Sequence, residues 1–187
     1  MTKERGVTKQ FDFRKGFHVD LESKHGAKRP YVDYGTATVD ARRYWAPEEV
    51  DVEWDSLWTK VWLLAGLASD APSPGDFFKF DVGRASIIVV RDKNGDLKAL
   101  HNVCQHRGNS LVTTDFGTVA RRFHCSFHGW EYELDGKLAC IRDEEIFRPE
   151  VIAHRPGLSQ VKLATWGNFV FVNMDPEAGP FEDFLGD

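Results

Sequence analysis

The first regular pattern of apolar residues along the chain has the period of an α-helix. The segment APEEVDVEWDSLWTKV carries a proline at a first-turn position, Pro47, with two glutamates directly behind it. Its apolar positions are Val50, Trp54, Leu57, Trp58 and Val61. This spacing places them on one side of a helix. The pattern therefore predicts an amphipathic helix over about residues 47–61 with one buried face.

After Val61 the pattern changes to short apolar runs separated by turn residues, which is typical of β-strands. FFKFDV alternates between apolar and polar positions, whereas SIIVV contains a continuous apolar run. Three two-residue turn signals lie between apolar runs and predict hairpins: Asn94-Gly95, Asp135-Gly136 and Gly167-Asn168. About eight to ten short strands are expected, without an internal repeat. This part of the chain predicts a small antiparallel β-sandwich or barrel-like fold.

Residues 1–43 differ from the rest of the chain in being polar, rich in Lys and Arg, and without sustained periodicity. They predict a loosely structured N-terminal arm. The 187 residues carry a formal net charge of -5, which argues against a nucleic-acid partner because such a partner needs a basic face. The longest apolar run, Val61–Ala68, is far shorter than the roughly 20 residues that span a bilayer. No membrane partner is expected.

Three cysteines are an odd number and do not suggest a disulfide framework. The opening residues MTKERGVTKQ lack the apolar core of a signal peptide. The expected location is therefore the cytoplasm, where thiols stay reduced. Reduced thiols are free to bind a metal.

Two of the three cysteines lie beside histidines, each just past a strand-like stretch. NVCQHRGNSL contains Cys104-x-His106, and RRFHCSFHGWEY contains Cys125-x-x-His128. Four such side chains could hold Zn²⁺ tetrahedrally, but the commonest zinc pattern keeps the two Cys together and the two His together. A Rieske-type [2Fe-2S] centre gives both thiolates to one iron and both imidazoles to the other. The mixed pairs favour the iron–sulfur centre, with zinc or a coincidence of composition as the alternatives.

These motifs resemble the Rieske domain of the large (alpha) subunit of aromatic-ring-hydroxylating dioxygenases, which are Rieske non-haem iron oxygenases. The resemblance rests on C-x-H-R-G, on C-x-x-H-G-W with a following D-G, and on the upstream stretches VWLLAG, PGDFFKF and IIVVRDKNGDLKALHNVC. It covers residues 44–187. It implies a mainly β, Rieske-type antiparallel β-sandwich with two cluster-binding hairpin loops, preceded by the polar arm and the amphipathic helix. The cluster-binding region would be about residues 97–140.

The resemblance also implies a role for each of the four ligand positions. Cys104 and Cys125 would bind one iron of a [2Fe-2S] cluster through their thiolates. His106 and His128 would bind the other iron through their imidazoles. No catalytic residue is expected among them. Ser126, where the family often has proline, departs from the pattern without touching a ligand.

Four neighbours of the ligands are expected to support the cluster. They are Arg107, Gly108, Gly129 and Trp130. Glycines let backbone N–H groups approach the sulfur atoms, and Trp130 would cover the cluster with apolar surface, fill the core, or do both. The third thiol, Cys140, is expected to be a small buried hydrophobic residue because free cysteines are often buried.

In the family that the chain resembles, a mononuclear Fe(II) on a downstream catalytic domain activates O₂ through two His ligands and one carboxylate. No such constellation occurs in the sequence, so the catalytic domain is expected to be absent and the chain alone to be catalytically incomplete. The resemblance then implies the electron-transfer part of an aromatic-ring-hydroxylating oxygenase. Its partners would be a ferredoxin or reductase as electron donor, and the catalytic domain or neighbouring subunits of an oligomer.

Two other functions stay open from the sequence. A stand-alone Rieske ferredoxin would carry electrons without chemistry of its own, although the arm and the tryptophan-rich helix exceed what a minimal carrier needs. A zinc-stabilised binding module would use the same four side chains without redox chemistry.

Overall fold

The computed structural model describes residues 35–154 and 157–186. Most of the predicted polar arm, residues 1–43, lies outside the described residues. The chain divides into two units between Asp40 and Ala41, and the helices and strands given below belong to the second unit, Ala41–Asp187. Within the described ranges, no helix is long and apolar enough to cross a membrane.

The described part of the second unit is built mainly from β-strands, and every strand pair is antiparallel. The strands are β1 (Leu63–Leu67), β2 (Asp76–Val82), β3 (Ala85–Arg91), β4 (Leu97–His101), β5 (Phe116–Thr118), β6 (Arg122–His124), β7 (Glu131–Glu133), β8 (Leu138–Cys140), β9 (Gln160–Trp166) and β10 (Phe169–Asn173). The helices are α1 (Pro47–Glu53), α2 (Pro149–Ala153) and α3 (Phe181–Leu185). The mainly β, antiparallel fold predicted from the sequence is confirmed.

Seven strands form one sheet in the order β1-β10-β9-β4-β3-β2-β5, and β6-β7-β8 form a second sheet. The three turn signals each join paired strands: β3 to β4, β7 to β8, and β9 to β10. Gly95 and Gly136 have φ angles of 89° and 88°, in the left-handed region that such tight turns require. All three hairpins that the turn residues predict are therefore present in the structure.

The middle of strand β3, residues 87–90, is apolar because both of its faces are covered. Ile88 and Val90 face a first core, and Ile87 and Val89 face a second core on the other side of the sheet. All four side chains are completely buried, which stabilises the fold by about 1.5 to 3 kcal/mol for each of them. The first core also contains Cys104, Cys125, Trp130 and Tyr132. The predicted cluster site therefore rests directly on the packed interior.

The predicted amphipathic helix is present, but its apolar face is not buried. Helix α1 continues as a wider, π-helical turn over Trp54–Trp58, and the structure records no buried residue in either segment. The exposed apolar residues are Val50, Leu57 and Trp58. The ring of Trp54 packs over Gly83 so closely that a Cβ at that glycine would have no room. The expectation of one buried face was wrong: Trp54 packs against the turn between β2 and β3, whereas other residues of that face remain exposed.

The expectation that Cys140 is a buried hydrophobic residue was also wrong. Its side chain is exposed at the end of β8. Strand β8 has only three residues and lies at the edge of the smaller sheet, where it pairs with β7 alone. The last residue of such a short edge strand is open to solvent, and Cys140 is that residue.

Candidate metal centre

Two loops bring the predicted ligands together at one end of the first core. Loop 1, residues 102–111, follows β4 and leads on to β5. Loop 2, residues 125–130, joins the paired strands β6 and β7. Each loop contributes one cysteine and one histidine. The sequence shows one Cys–His pair in each loop, and the structure brings the two pairs together.

The two loops close with the same backbone pattern. In each, the cysteine N–H donates to a carbonyl five residues on, at 2.8 Å, and the cysteine carbonyl accepts from a glycine N–H four residues on, at 2.9 Å. The acceptor carbonyls are those of Asn109 and Trp130, and the donor glycines are Gly108 and Gly129. Both glycines have a φ angle of 73°, a left-handed conformation that other residues adopt only at a cost. The predicted importance of these glycines thus has a conformational basis.

The two thiols lie together in the first core. Cys104 and Cys125 are 1% and 2% exposed, and their side chains interact with each other. Burial raises the pKa of the Cys104 thiol. Burial acts in the same direction on Cys125, but hydrogen bonds from the backbone N–H groups of Phe127 and His128 outweigh it and lower the pKa of that thiol. Loop 2 therefore favours the thiolate, which is the form that binds metals.

The two imidazoles lie against each other, with the ring centroids of His106 and His128 4.6 Å apart. The Nδ1 atoms of both rings are buried and have no hydrogen-bond partner within the described part of the chain. Buried polar atoms nearly always have a partner, and an imidazole nitrogen without one is available to bind a metal. Burial, followed by the charges of His128 and Arg107, lowers the pKa of His106. These effects favour the neutral form of the ring, which is the form that binds a metal.

This donor set fits a two-iron cluster. Thiol lies beside thiol and imidazole beside imidazole, which is the division that a Rieske centre needs. Among residues 35–154 and 157–186, no group of three or more His, Cys, Asp or Glu side chains is arranged to hold a single metal ion. The four side chains can instead offer two ligands to each of two metal ions.

Trp130 covers the imidazole pair on one side. Its indole stacks on His106 with the ring centroids 4.9 Å apart and the planes 5° apart, and it is 3% exposed. Phe147 packs edge-on against both of these rings. Because Trp130 also belongs to the first core, it both covers the site and fills the interior. Arg107, by contrast, is exposed and acts on His106 through its charge.

Tyr132 is a residue of the site that the sequence analysis did not identify. It is fully buried, and its hydroxyl oxygen lies 3.3 Å from Sγ of Cys104 and accepts the N–H of Gln105 at 3.0 Å. Because the oxygen accepts from Gln105, its own proton is free to be donated to the sulfur. A signal was available, since Tyr132 follows Trp130 by two residues and both side chains enter the same core.

Replacing Tyr132 with phenylalanine is expected to lower the reduction potential of the bound cluster by several tens of millivolts. Hydrogen bonds to sulfur stabilise the more negative, reduced state, and a tenfold change in a one-electron equilibrium corresponds to about 59 mV. Spectroelectrochemical titration measures the shift. Tyr44→Phe, at a side chain that is 81% exposed, is the matched control. Equal potentials in the Tyr132 variant and the wild type would mean that the hydroxyl serves packing alone.

Asn102 is a second residue that the sequence analysis missed, and it anchors the far end of loop 1. Its buried Oδ1 accepts the N–H groups of Leu111 and Val112 at 2.8 and 3.0 Å. Its Nδ2 donates to the carbonyl of Val112 at 2.8 Å and to Oγ of Ser86 on β3 at 3.1 Å. One side chain therefore satisfies three backbone groups of the returning loop and ties them to the central sheet.

Comparison with known proteins agrees with this geometry. The family model described as "Rieske [2Fe-2S] domain" matches residues 61–150. The large subunit of anthranilate 1,2-dioxygenase from Acinetobacter baylyi is 37% identical over 75% of this chain and 30% of its own length. The alpha subunit of biphenyl 2,3-dioxygenase from Rhodococcus jostii is 33% identical over 83% of this chain and 34% of its own length.

A solved structure of similar fold is the apo form of a quaternary ammonium Rieske monooxygenase, with a TM-score of 0.71 and 28% identity over 79% of this chain and 43% of that one. The chain spans about a third of the length of the two curated relatives. The matched region contains both loops and all four predicted ligands. Residues 61–150 therefore match the Rieske [2Fe-2S] domain family, and this region is homologous to the electron-transfer domain of aromatic-ring-hydroxylating dioxygenase alpha subunits.

Proposed function

We propose that the four paired side chains hold the Rieske [2Fe-2S] cluster, with Cys104 and Cys125 on one iron and His106 and His128 on the other. The observation that carries the proposal is the pairing itself. Two buried thiols interact with each other, and two adjacent imidazoles have buried Nδ1 atoms without a partner in the described residues. When bound, such a cluster accepts and releases single electrons.

The side chains give this site a closed side and an open side. On the thiol side, Cys104 and Cys125 are almost completely enclosed by the first core. On the imidazole side, His106 and His128 are half-buried and line a cavity of about 290 Å³ together with Trp130. Electron exchange with a partner is expected through the imidazole side, because a partner can approach it more closely.

The relatives favour the electron-transfer portion of an aromatic-ring-hydroxylating oxygenase over a stand-alone carrier. The two curated relatives described above are a large subunit and an alpha subunit of dioxygenases. In this proposal a ferredoxin or reductase supplies the electrons. They serve a mononuclear Fe(II) that hydroxylates an aromatic ring with O₂ on a catalytic domain of the same enzyme or of a neighbouring subunit. The assembly is oligomeric and cytoplasmic, and residues 44–187 form the Rieske domain.

The first test is chemical analysis of the purified full chain combined with anaerobic reduction. About two iron atoms and two acid-labile sulfide ions per chain are expected, the composition of one [2Fe-2S] cluster. A ferredoxin–reductase pair of the kind that serves dioxygenases should then reduce the cluster. The visible absorbance should decrease, with an uptake of one electron per chain. Stoichiometric zinc without sulfide would contradict the proposal and support the zinc-stabilised module.

A second experiment distinguishes an oxygenase portion from a stand-alone carrier. The reduced chain is mixed with a complete, independent ring-hydroxylating dioxygenase and its substrate, and product formation is followed by mass spectrometry. A portion of an oxygenase should deliver its electrons far more slowly than a ferredoxin does, because its own acceptor belongs to its own enzyme. Delivery at the rate of the ferredoxin would support the stand-alone Rieske ferredoxin.

A further inference from the structure

Asn109, in loop 1, contacts both cysteine residues of the site. Its backbone carbonyl accepts the N–H of Cys104 at 2.8 Å. Its side chain extends toward loop 2, where Nδ2 lies 3.7 Å from Sγ of Cys125 and 3.4 Å from Oγ of Ser126. The same Nδ2 lies 2.9 Å from the carbonyl oxygen of Ser110. One residue thus connects the backbone of one cysteine to the sulfur of the other.

The hydrogens on this amide nitrogen are shared among three acceptors. Nδ2 carries two N–H groups. The carbonyl of Ser110, in the same loop, takes one of them at the shortest distance and orients the amide. The other N–H is left for the sulfur of Cys125 and the hydroxyl of Ser126, both on loop 2. The amide is therefore held in place from its own loop and donates across to the other.

Such a donor has a direct electrostatic consequence. The amide hydrogen of Asn109 carries a partial positive charge and faces Sγ of Cys125, so the amide stabilises negative charge on this sulfur. A cluster-bound cysteine sulfur becomes more negative when the cluster gains an electron. Hydrogen bonds to the sulfurs are among the factors that set the potential of a cluster. An N–H aimed at Cys125 should therefore favour the reduced state.

We propose that Asn109 is a positioning residue that ties loop 1 to loop 2 and, through its hydrogen bond to the sulfur of Cys125, raises the reduction potential of the cluster. The inference rests on the proposed function, since it takes Cys125 as a cluster ligand. It assigns a redox role to a residue that neither ligates nor lies beside a ligand in sequence. Tyr132 acts in the same sense on Cys104, so each thiolate has one side-chain donor.

The test is the redox titration of Asn109→Leu and Asn109→Ala, followed by visible absorbance and electron paramagnetic resonance. At a fixed applied potential, the ratio of reduced to oxidised cluster is expected to fall about three- to tenfold in both variants; tenfold corresponds to 59 mV for one electron. Asn94→Ala is the matched control, because that exposed amide lies in the turn between β3 and β4 and in neither of the two loops. Its ratio should equal that of the wild type.

A third variant separates the two parts of the role. Ser126→Ala removes the acceptor on loop 2 and leaves the contact between Asn109 and the sulfur intact. It should release iron to a chelator about two to three times faster than the wild type, with no fall in potential. A fall in potential as large as that of Asn109→Leu would overturn the assignment, because the effect would then come from loop disorder and not from the sulfur bond.

The wild type offers a measurement that does not depend on variants retaining the cluster. With asparagine labelled by ¹⁵N in its side chain, pulsed electron paramagnetic resonance of the reduced chain should show a weak ¹⁵N coupling. Absence of this coupling, or wild-type potentials in both Asn109 variants, overturns the inference while the cluster itself is intact. A wild-type chain without a [2Fe-2S] cluster overturns the proposed function instead, and the inference with it.

Discussion

A single alanine replacement at any of the four proposed ligands is expected to abolish assembly of the [2Fe-2S] cluster. The four are Cys104, His106, Cys125 and His128. The iron that loses a ligand would keep only one protein ligand, and the free energy of metal binding is coupled to the ordering of the loops that supply the ligands. The visible absorbance and the iron and sulfide contents of the purified variants should both fall to background.

The matched control is Cys140→Ala, which removes the third thiol of the chain. Because the side chain of Cys140 is exposed, this change should cost less than about 0.5 kcal/mol and leave the cluster complete. The far-ultraviolet circular dichroism of the ligand variants should stay close to that of the wild type, since the second core packs on the opposite face of β3. Full iron and sulfide in any one ligand variant would remove that residue from the ligand set.

The second large effect is expected at Asn102. Asn102→Leu should lower the free energy of unfolding by about 3 to 5 kcal/mol, because it leaves the N–H of Leu111 and the N–H and C=O of Val112 without their partner. Each buried polar group left unsatisfied costs about 1 to 3 kcal/mol. Urea unfolding of the metal-free chain under reducing conditions, followed by circular dichroism, measures the change.

A change at an exposed asparagine gives the comparison that this experiment needs. Asn94→Ala, in the turn between β3 and β4, should alter the free energy of unfolding by no more than about 0.5 kcal/mol. The Asn102 variant should also assemble its cluster poorly, because the end of loop 1 that Asn102 anchors in the wild type would be released. A loss below about 1 kcal/mol at Asn102 would mean that water or a shifted loop replaces the four hydrogen bonds of the amide.

The hairpin turns and the Cys–His pairs could be predicted because each depends on local sequence. The Asn94-Gly95 and Asp135-Gly136 turns depend on two adjacent residues, and the structure forms both hairpins. The pairing of cysteine and histidine within each loop depends on spacing alone. In both cases the residues that determine the feature are neighbours in the sequence.

The features that the sequence analysis predicted wrongly or missed depend on distant partners. The period of α1 predicts an apolar face but cannot show whether another element covers it, and the structure leaves Val50 and Trp58 exposed. Whether Cys140 is buried depends on what lies above the open face of an edge strand. The bond from Asn109 to Cys125 joins residues of different loops and becomes visible only in the fold.

The measurement that tests the central claim most directly is pulsed electron paramagnetic resonance of the reduced chain grown with ¹⁵N-labelled histidine. The pairing of His106 with His128 predicts strong couplings from two directly bound histidine nitrogens, because both imidazoles belong to the same iron. Replacing either histidine should remove the signal together with the cluster. A cluster that forms with one histidine coupling, or with none, would contradict the division of ligands into a thiolate pair and an imidazole pair.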